Sequence, residues 1–152
     1  MASGAGLGMQ LRRLLDALDG DVEAAYREAG LEFRPRYTPV MQHLFKGGPV
    51  RIRDLSDRTG LSHSALSQTV AQMQKTGWVR LEAGADRREK RVHPTAKALA
   101  AEPVLRRKWA ATAAAAASLS EELGCDLSAV FESALQALER EPFRARIARA
   151  AK

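Results

Sequence analysis

Between Ser62 and Lys75 the chain sets His63, Ser64, Ser67, Gln68, Ala71, Gln72 and Lys75 on one side of a helical period, with Leu66, Val70 and Met73 on the other. The outward set is short, polar and free of acid. Such side chains can exchange hydrogen bonds with nucleobase edges: glutamine is bidentate to N6 and N7 of adenine, and a serine hydroxyl serves several bases. An ordinary solvated helix more often carries Glu and Arg there. Further on, Asp86-Arg87-Arg88-Glu89-Lys90-Arg91 gathers cations on a loop between two β-like runs, Trp78–Leu81 and Arg91–His93. Arg87, Arg88 and Lys90 suit a phosphate ridge with one guanidinium in the minor groove. Asp86, two residues from Arg88, can aim that guanidinium through charge-assisted hydrogen bonds. The plainer reading of the same loop is a solvated charge run.

The flanking elements must hold these groups in place. A short amphipathic helix at about 52–59 carries Ile52 and Leu55 inward and ends at Gly60; Ser62 caps the next helix, roughly 63–76, and Gly77 stops it. Arg51 falls at the cap position of the 52–59 helix, where Ser or Thr is expected. Helix, tight turn, helix and charged hairpin form the layout of a winged helix-turn-helix, which lays its second helix in a DNA major groove. The expected fold is therefore mainly α with a small β-hairpin wing, plus N- and C-terminal helices.

Upstream, residues 1–8 read as disordered, and apolar residues from Leu11 to Ala29 keep one face in phase through Gly20, predicting one helix over 9–29. Leu31 to Tyr37 is a connector. Thr38-Pro39 is a cap followed by a first-turn proline, starting a helix with Val40, Met41, Leu44 and Phe45 that stops at Gly47-Gly48-Pro49. Downstream, Thr95 caps a long helix that Pro103 can kink, and Ser118-Leu119-Ser120-Glu121 fits a capping box that would break it near 118. A last helix from about 127 is expected to bury Leu127, Val130, Phe131, Leu135 and Leu138, followed by a short basic piece from Phe143. The organisation expected is a disordered 1–8 and a single domain over 9–152. Within it, 38–98 form the DNA-binding part, and 9–30 with 99–152 form dimerisation helices.

Composition sets the outer bounds. A chain of 152 residues suits one domain with a real core. Of its net charge of +6, most lies in residues 51–97, where ten Lys or Arg face five Asp or Glu. Phosphate binding needs that placement. No stretch approaches the roughly 20 apolar residues of a membrane span, and MASGAGLGMQ lacks the form of a secretory signal. A single cysteine, Cys125, suits a reducing compartment and reads as a buried structural thiol. The expected location is cytoplasmic. His43, His63 and His93 show no metal-ligand spacing, there is no glycine-rich phosphate loop, and no nucleophile–base pair stands out. No metal, cofactor or enzyme activity is expected.

Taken together, residues Pro49 to Ala98 resemble the MarR family of winged helix-turn-helix regulators. The resemblance rests on the Leu55 helix, Gly60-Leu61-Ser62, Leu66 and Val70, Lys75-x-Gly77-x-Val79, and Asp86-x-Arg88 followed seven residues later by Thr95. It implies a homodimer entwined through its terminal helices on a near-palindromic duplex. It also implies that Ser62, His63, Ser64, Ser67 and Gln68 face the major groove and that Arg88 enters the minor groove, steadied by Asp86. Gln68 stands where many relatives carry a basic residue, and Pro94 and Ala98 replace a common Leu and Gly. A small aromatic or lipophilic effector bound between dimer helices and winged part is a further implication, with Tyr37, His43, Trp78 and Trp109 as candidate lining residues; ordinary packing is the competing reading of each. The expected function is a sequence-specific regulator, a repressor, against the alternative of a winged protein-interaction module without specific DNA reading.

Overall fold

The computed structural model describes residues 6–86 and 89–151, which fall into two compact units divided between Lys108 and Trp109. The first unit holds helix α1 (Leu7–Glu28), a 3-10 turn (Pro35–Tyr37), α2 (Thr38–Gly47), β1 (Val50–Arg51), α3 (Ile52–Thr59), α4 (His63–Lys75), β2 (Val79–Ala83) and β3 (Lys90–Pro94). Helix α5 (Ala96–Leu123) begins in it. The strands form one antiparallel sheet in the order β1-β3-β2. The hairpin register puts Leu81 opposite Val92, and Val92 in turn faces Val50 of β1. Val50 and Val92 are buried, so the sheet keeps one face on the core. The chain thus has the fold expected of it, mainly α with a small wing.

Aromatic packing anchors this unit. Phe33 meets Tyr26, Tyr37 and Trp78 edge-on, with ring centroids 5.0, 5.5 and 5.0 Å away. Trp78 closes the cluster by donating its indole N–H to the Glu32 carbonyl at 2.9 Å. Leu55, Leu66, Val70 and Met73 fill the contact between α3 and α4, all at most 1 % exposed. Thr95 joins wing to α5: its hydroxyl donates to the Gly77 carbonyl at 2.6 Å and accepts from the Ala98 amide at 3.2 Å. Replacing it by valine keeps the shape and removes both bonds. Thr95→Val should therefore lower unfolding stability by about 1–3 kcal/mol, read as a shifted denaturant midpoint with an unchanged slope; an unmoved midpoint would leave the hydroxyl without a structural role.

Several boundaries differ from expectation, each for a local reason. Leu7 and Gly8 already belong to α1, which starts from Gly6; residues 1–5 lie outside the described residues. Thr38 is the first residue of α2 and makes no cap bond, its hydroxyl lying 3.4 Å from the Tyr26 hydroxyl instead. Ile52 is only half-buried. Strand β1 was not anticipated, because two residues carry no period; it exists only through its pairing with β3.

The second unit holds the rest of α5, α6 (Leu127–Arg140) and α7 (Phe143–Ala150). Helix α5 passes unbroken through residue 118. The alanine run favours continuation over a new start, and Ser120 turns its hydroxyl to the Leu127 amide at 3.3 Å. The cap of α6 is Asp126, which accepts from the Ala129 amide at 3.0 Å. Gly124, at φ 67°, ends α5 and turns the chain. Cys125 follows it and is exposed, so the buried-thiol expectation fails. The turn that follows a helix end gives a side chain little to pack against. Helix α6 buries none of its residues: Val130, Phe131, Leu135 and Leu138 are 50, 41, 59 and 40 % exposed. The apolar stripe is as expected, but among the described residues it stays exposed rather than buried. Along α1, Leu7, Leu11, Leu14, Leu15 and Leu18 are likewise exposed. No described helix is long and apolar enough to cross a membrane.

Candidate nucleic-acid interface

Helix α4 is built to present one face. Its start is fixed by Ser62, extended at φ −63° and ψ 147°, whose hydroxyl accepts from the Ala65 amide at 3.1 Å. Its end is held by Lys97, which donates to the Thr76 carbonyl at 2.8 Å and lies 4.5 Å from the Trp78 ring centroid. With Leu66, Val70 and Met73 buried, helical geometry leaves Ser62, His63, Ser64 and Gln68 exposed and Ser67 and Gln72 half-buried. His63 Nδ1 lies 3.4 Å from the Ser67 hydroxyl, coupling two of these groups. No acidic side chain lies on that face. The unpaired amides of the first turn add a positive end toward any phosphate beside it.

The wing stands beside this helix. Asp86 and Lys90 are exposed, Asp86 at the loop and Lys90 at the start of β3. Arg87 and Arg88 lie outside the described residues. The loop closes through Glu89: its amide donates to the Asp86 carbonyl at 2.9 Å, and its carbonyl accepts from the Gly84 amide. A Cβ on Gly84 would stand 3.0 Å from that carbonyl, so the close approach requires glycine. On the strands Arg80 pairs with Glu82, and Glu82 also lies 3.2 Å from His93 Nε2. Burial, with Arg80 and Arg91 nearby, holds the His93 imidazole below its ordinary pKa.

Arg51 and Arg53 were missed as functional candidates. Arg53 is exposed on α3, and with Arg51, Ile52, His63, Glu89 and Lys90 it lines a cleft of about 310 Å³ between the starts of α3 and α4 and the wing. The inward positions 52 and 55 imply that Arg53 points outward, a signal present in the sequence. Arg51 gives its guanidinium to Asp54 through Nε at 2.9 Å and Nη2 at 3.3 Å, and to Glu89 through Nη1 at 2.8 Å. The hydrogen bond from Arg51 holds the Asp54 carboxyl below its usual pKa. The cap position that looked weak carries a fork instead.

The effector candidates separate. Tyr37 and Trp78 are fully buried in the aromatic cluster, with the Tyr37 hydroxyl lacking a hydrogen-bond partner. His43 is half-buried on α2, its Nε2 3.1 Å from Arg58, in a small cleft of about 130 Å³ that also takes in Arg51 and Arg91. Trp109 is half-buried and lies in the second unit. Among the described residues no group of three His, Cys, Asp or Glu could hold a metal ion.

Comparison with known proteins fits this geometry. The model of the MarR family matches residues 33–89. That span takes in α2 to α4 and β2, but not α1, α5, α6 or α7. A M. tuberculosis transcriptional regulator, MOSR, solved in complex with DNA, is 24 % identical with a TM-score of 0.69, over 92 % of this chain and 99 % of that one. Overoxidized AbfR bound to DNA is 18 % identical with a TM-score of 0.61, over 86 % of each chain. A MarR transcriptional regulator from Methanosarcina mazei Go1 is 19 % identical with a TM-score of 0.60, over 84 % of this chain and 93 % of that one. These likenesses show the fold, and they extend it over the terminal helices. No curated protein matches by sequence.

Proposed function

We propose that the protein, whose residues 33–89 match the MarR family model, is a double-stranded DNA-binding transcriptional regulator, a binding protein and not an enzyme. One observation carries the reading: the acid-free polar face of α4 is exposed beside a cation-bearing wing. In this reading Ser62, His63, Ser64, Ser67, Gln68 and Gln72 read base edges, while Arg87, Arg88 and Lys90, with Asp86 steadying Arg88, engage the backbone and minor groove. MOSR and AbfR, solved with DNA, have the same fold, which supports the assignment.

The finer reading is a homodimeric repressor, acting in the cytoplasm on a near-palindromic operator. The uncovered apolar stripes of α1 and α6 support the dimer. A dimer reading two half-sites must hold its two recognition helices about one DNA turn, roughly 34 Å, apart. Release by a small aromatic or lipophilic effector near Tyr37, His43, Trp78 or Trp109 completes the reading; the unpartnered Tyr37 hydroxyl supports it, since a ligand donor reaching it would satisfy a buried polar atom.

Sequencing of random duplexes captured by the purified protein at about 150 mM salt, where phosphate contacts alone bind weakly, tests the assignment. Enrichment of an inverted repeat is the expected result. Weak, salt-sensitive binding without enrichment would leave a winged interaction module. On the enriched site, Gln68→Ala should cost about 1–3 kcal/mol, and much less on random duplex. Equal losses on both would remove Gln68 from base reading.

A further inference from the structure

The wing and the helix-turn-helix are separate elements, yet to grip one duplex together they must hold a fixed spacing. A hairpin joined to the domain only through its base would swing. Strand β1 ties down the base, pairing Val50 with Val92 and Arg51 with Arg91. Glu89 lies beyond that pairing, next to the cationic loop, and its side chain is held by Arg51.

We propose that Arg51 is a positioning residue that locks the tip of the wing to the start of α3, through Glu89 on one side and Asp54 on the other, and so sets the wing cations relative to the α4 face. This rests on the DNA-binding reading above. The geometry is a three-way clamp. Asp54 takes one edge of the guanidinium, Nε and Nη2, in a bidentate grip at 2.9 and 3.3 Å and fixes its plane. The remaining Nη1 then points at Glu89 Oε1, 2.8 Å away and 38 residues along the chain. Glu89 is also the residue whose amide and carbonyl close the loop on Asp86 and Gly84. A single residue therefore transmits the position of α3 to the backbone at the tip. Arg51 cannot be exchanged for lysine here, because a point charge lacks the fork that serves two carboxylates at once.

The clamp also explains an acid in a place that phosphate binding alone would disfavour. If Glu89 were only a carboxylate near the interface, removing its charge would tighten DNA binding. As a clamp, Glu89→Gln should instead weaken binding to the enriched duplex about fivefold, as should Arg51→Lys. The double variant should lose little more than either single one, since both break the same contact. A Glu89→Gln protein that binds as tightly as the wild type, or tighter, would overturn the proposal, as would losses that simply add. Circular dichroism confirms folding of each variant. Amide exchange on the free protein provides a readout independent of DNA: the Gly84 and Glu89 amides should exchange several-fold faster in both variants, with the α4 amides unchanged. Unchanged exchange at the tip would refute the clamp. A wild type that enriches no sequence would refute the regulator assignment and leave the exchange result to decide the clamp.

Discussion

Replacing Leu135 by aspartate should turn a dimer into a monomer and lower affinity for the enriched duplex by a factor of about 10²–10⁴, the advantage lost when two linked sites become one. Leu135 is 59 % exposed in the single chain, in a stripe with Val130, Phe131 and Leu138 that buries nothing. A monomeric protein rarely leaves such a stripe open along a whole helix. A carboxylate placed in a packed interface keeps its desolvation cost without gaining a partner, so the effect should exceed that of simple truncation. Light scattering with size exclusion reads the mass, and duplex titration reads the affinity. Circular dichroism should be unchanged, because the residue is exposed on the surface of α6. A wild-type protein that runs as a monomer at micromolar concentration would sink the dimeric reading, whatever the variant does. Leu14→Asp on α1 repeats the test on the other exposed stripe, with loss of the dimer again expected.

On the proposed reading, in which Arg88 enters the minor groove, Arg88→Ala should reduce DNA affinity by about 10–100-fold while leaving mass and helicity as they are. Its loss should fall on selected and random duplex alike, unlike that of Gln68→Ala, because groove width and backbone charge carry most of the contact. The dependence of log affinity on log salt should flatten by about one unit per lost cationic contact. Asp86→Ala should show a smaller loss in the same direction if the carboxylate aims the guanidinium, and a gain if it only repels phosphate. Affinity unchanged by Arg88→Ala would take the wing out of the interface.

Much of this protein is legible in its residues because the relevant signals are short-range. Ser62 and Gly60 set the turn between α3 and α4, and the cap bond to Ala65 lies where the serine predicts it. Leu66, Val70 and Met73 define the inward face of α4, so the outward face follows without knowing what it packs on. Thr95 as a cap, the extent of α2 and the hairpin strands follow from the same local rules. Two C-terminal features differ from the expectation for local reasons: the alanine run of α5 outcompetes the capping box at 118, and the turn after Gly124 exposes Cys125.

The sequence by itself determined the inward and outward faces of α4 and the turn that starts it, since a helical period and a cap need only a dozen neighbours. Tertiary structure alone decided how those elements are held together. Strand β1 exists because β3 lies beside it. Arg51 became a clamp because folding brought Glu89, 38 residues away, within 2.8 Å. Tyr26, Phe33, Tyr37 and Trp78 became one cluster rather than four separate aromatics. Side-chain period reports the face a residue occupies, whereas such contacts depend on where distant segments arrive, which no local pattern encodes.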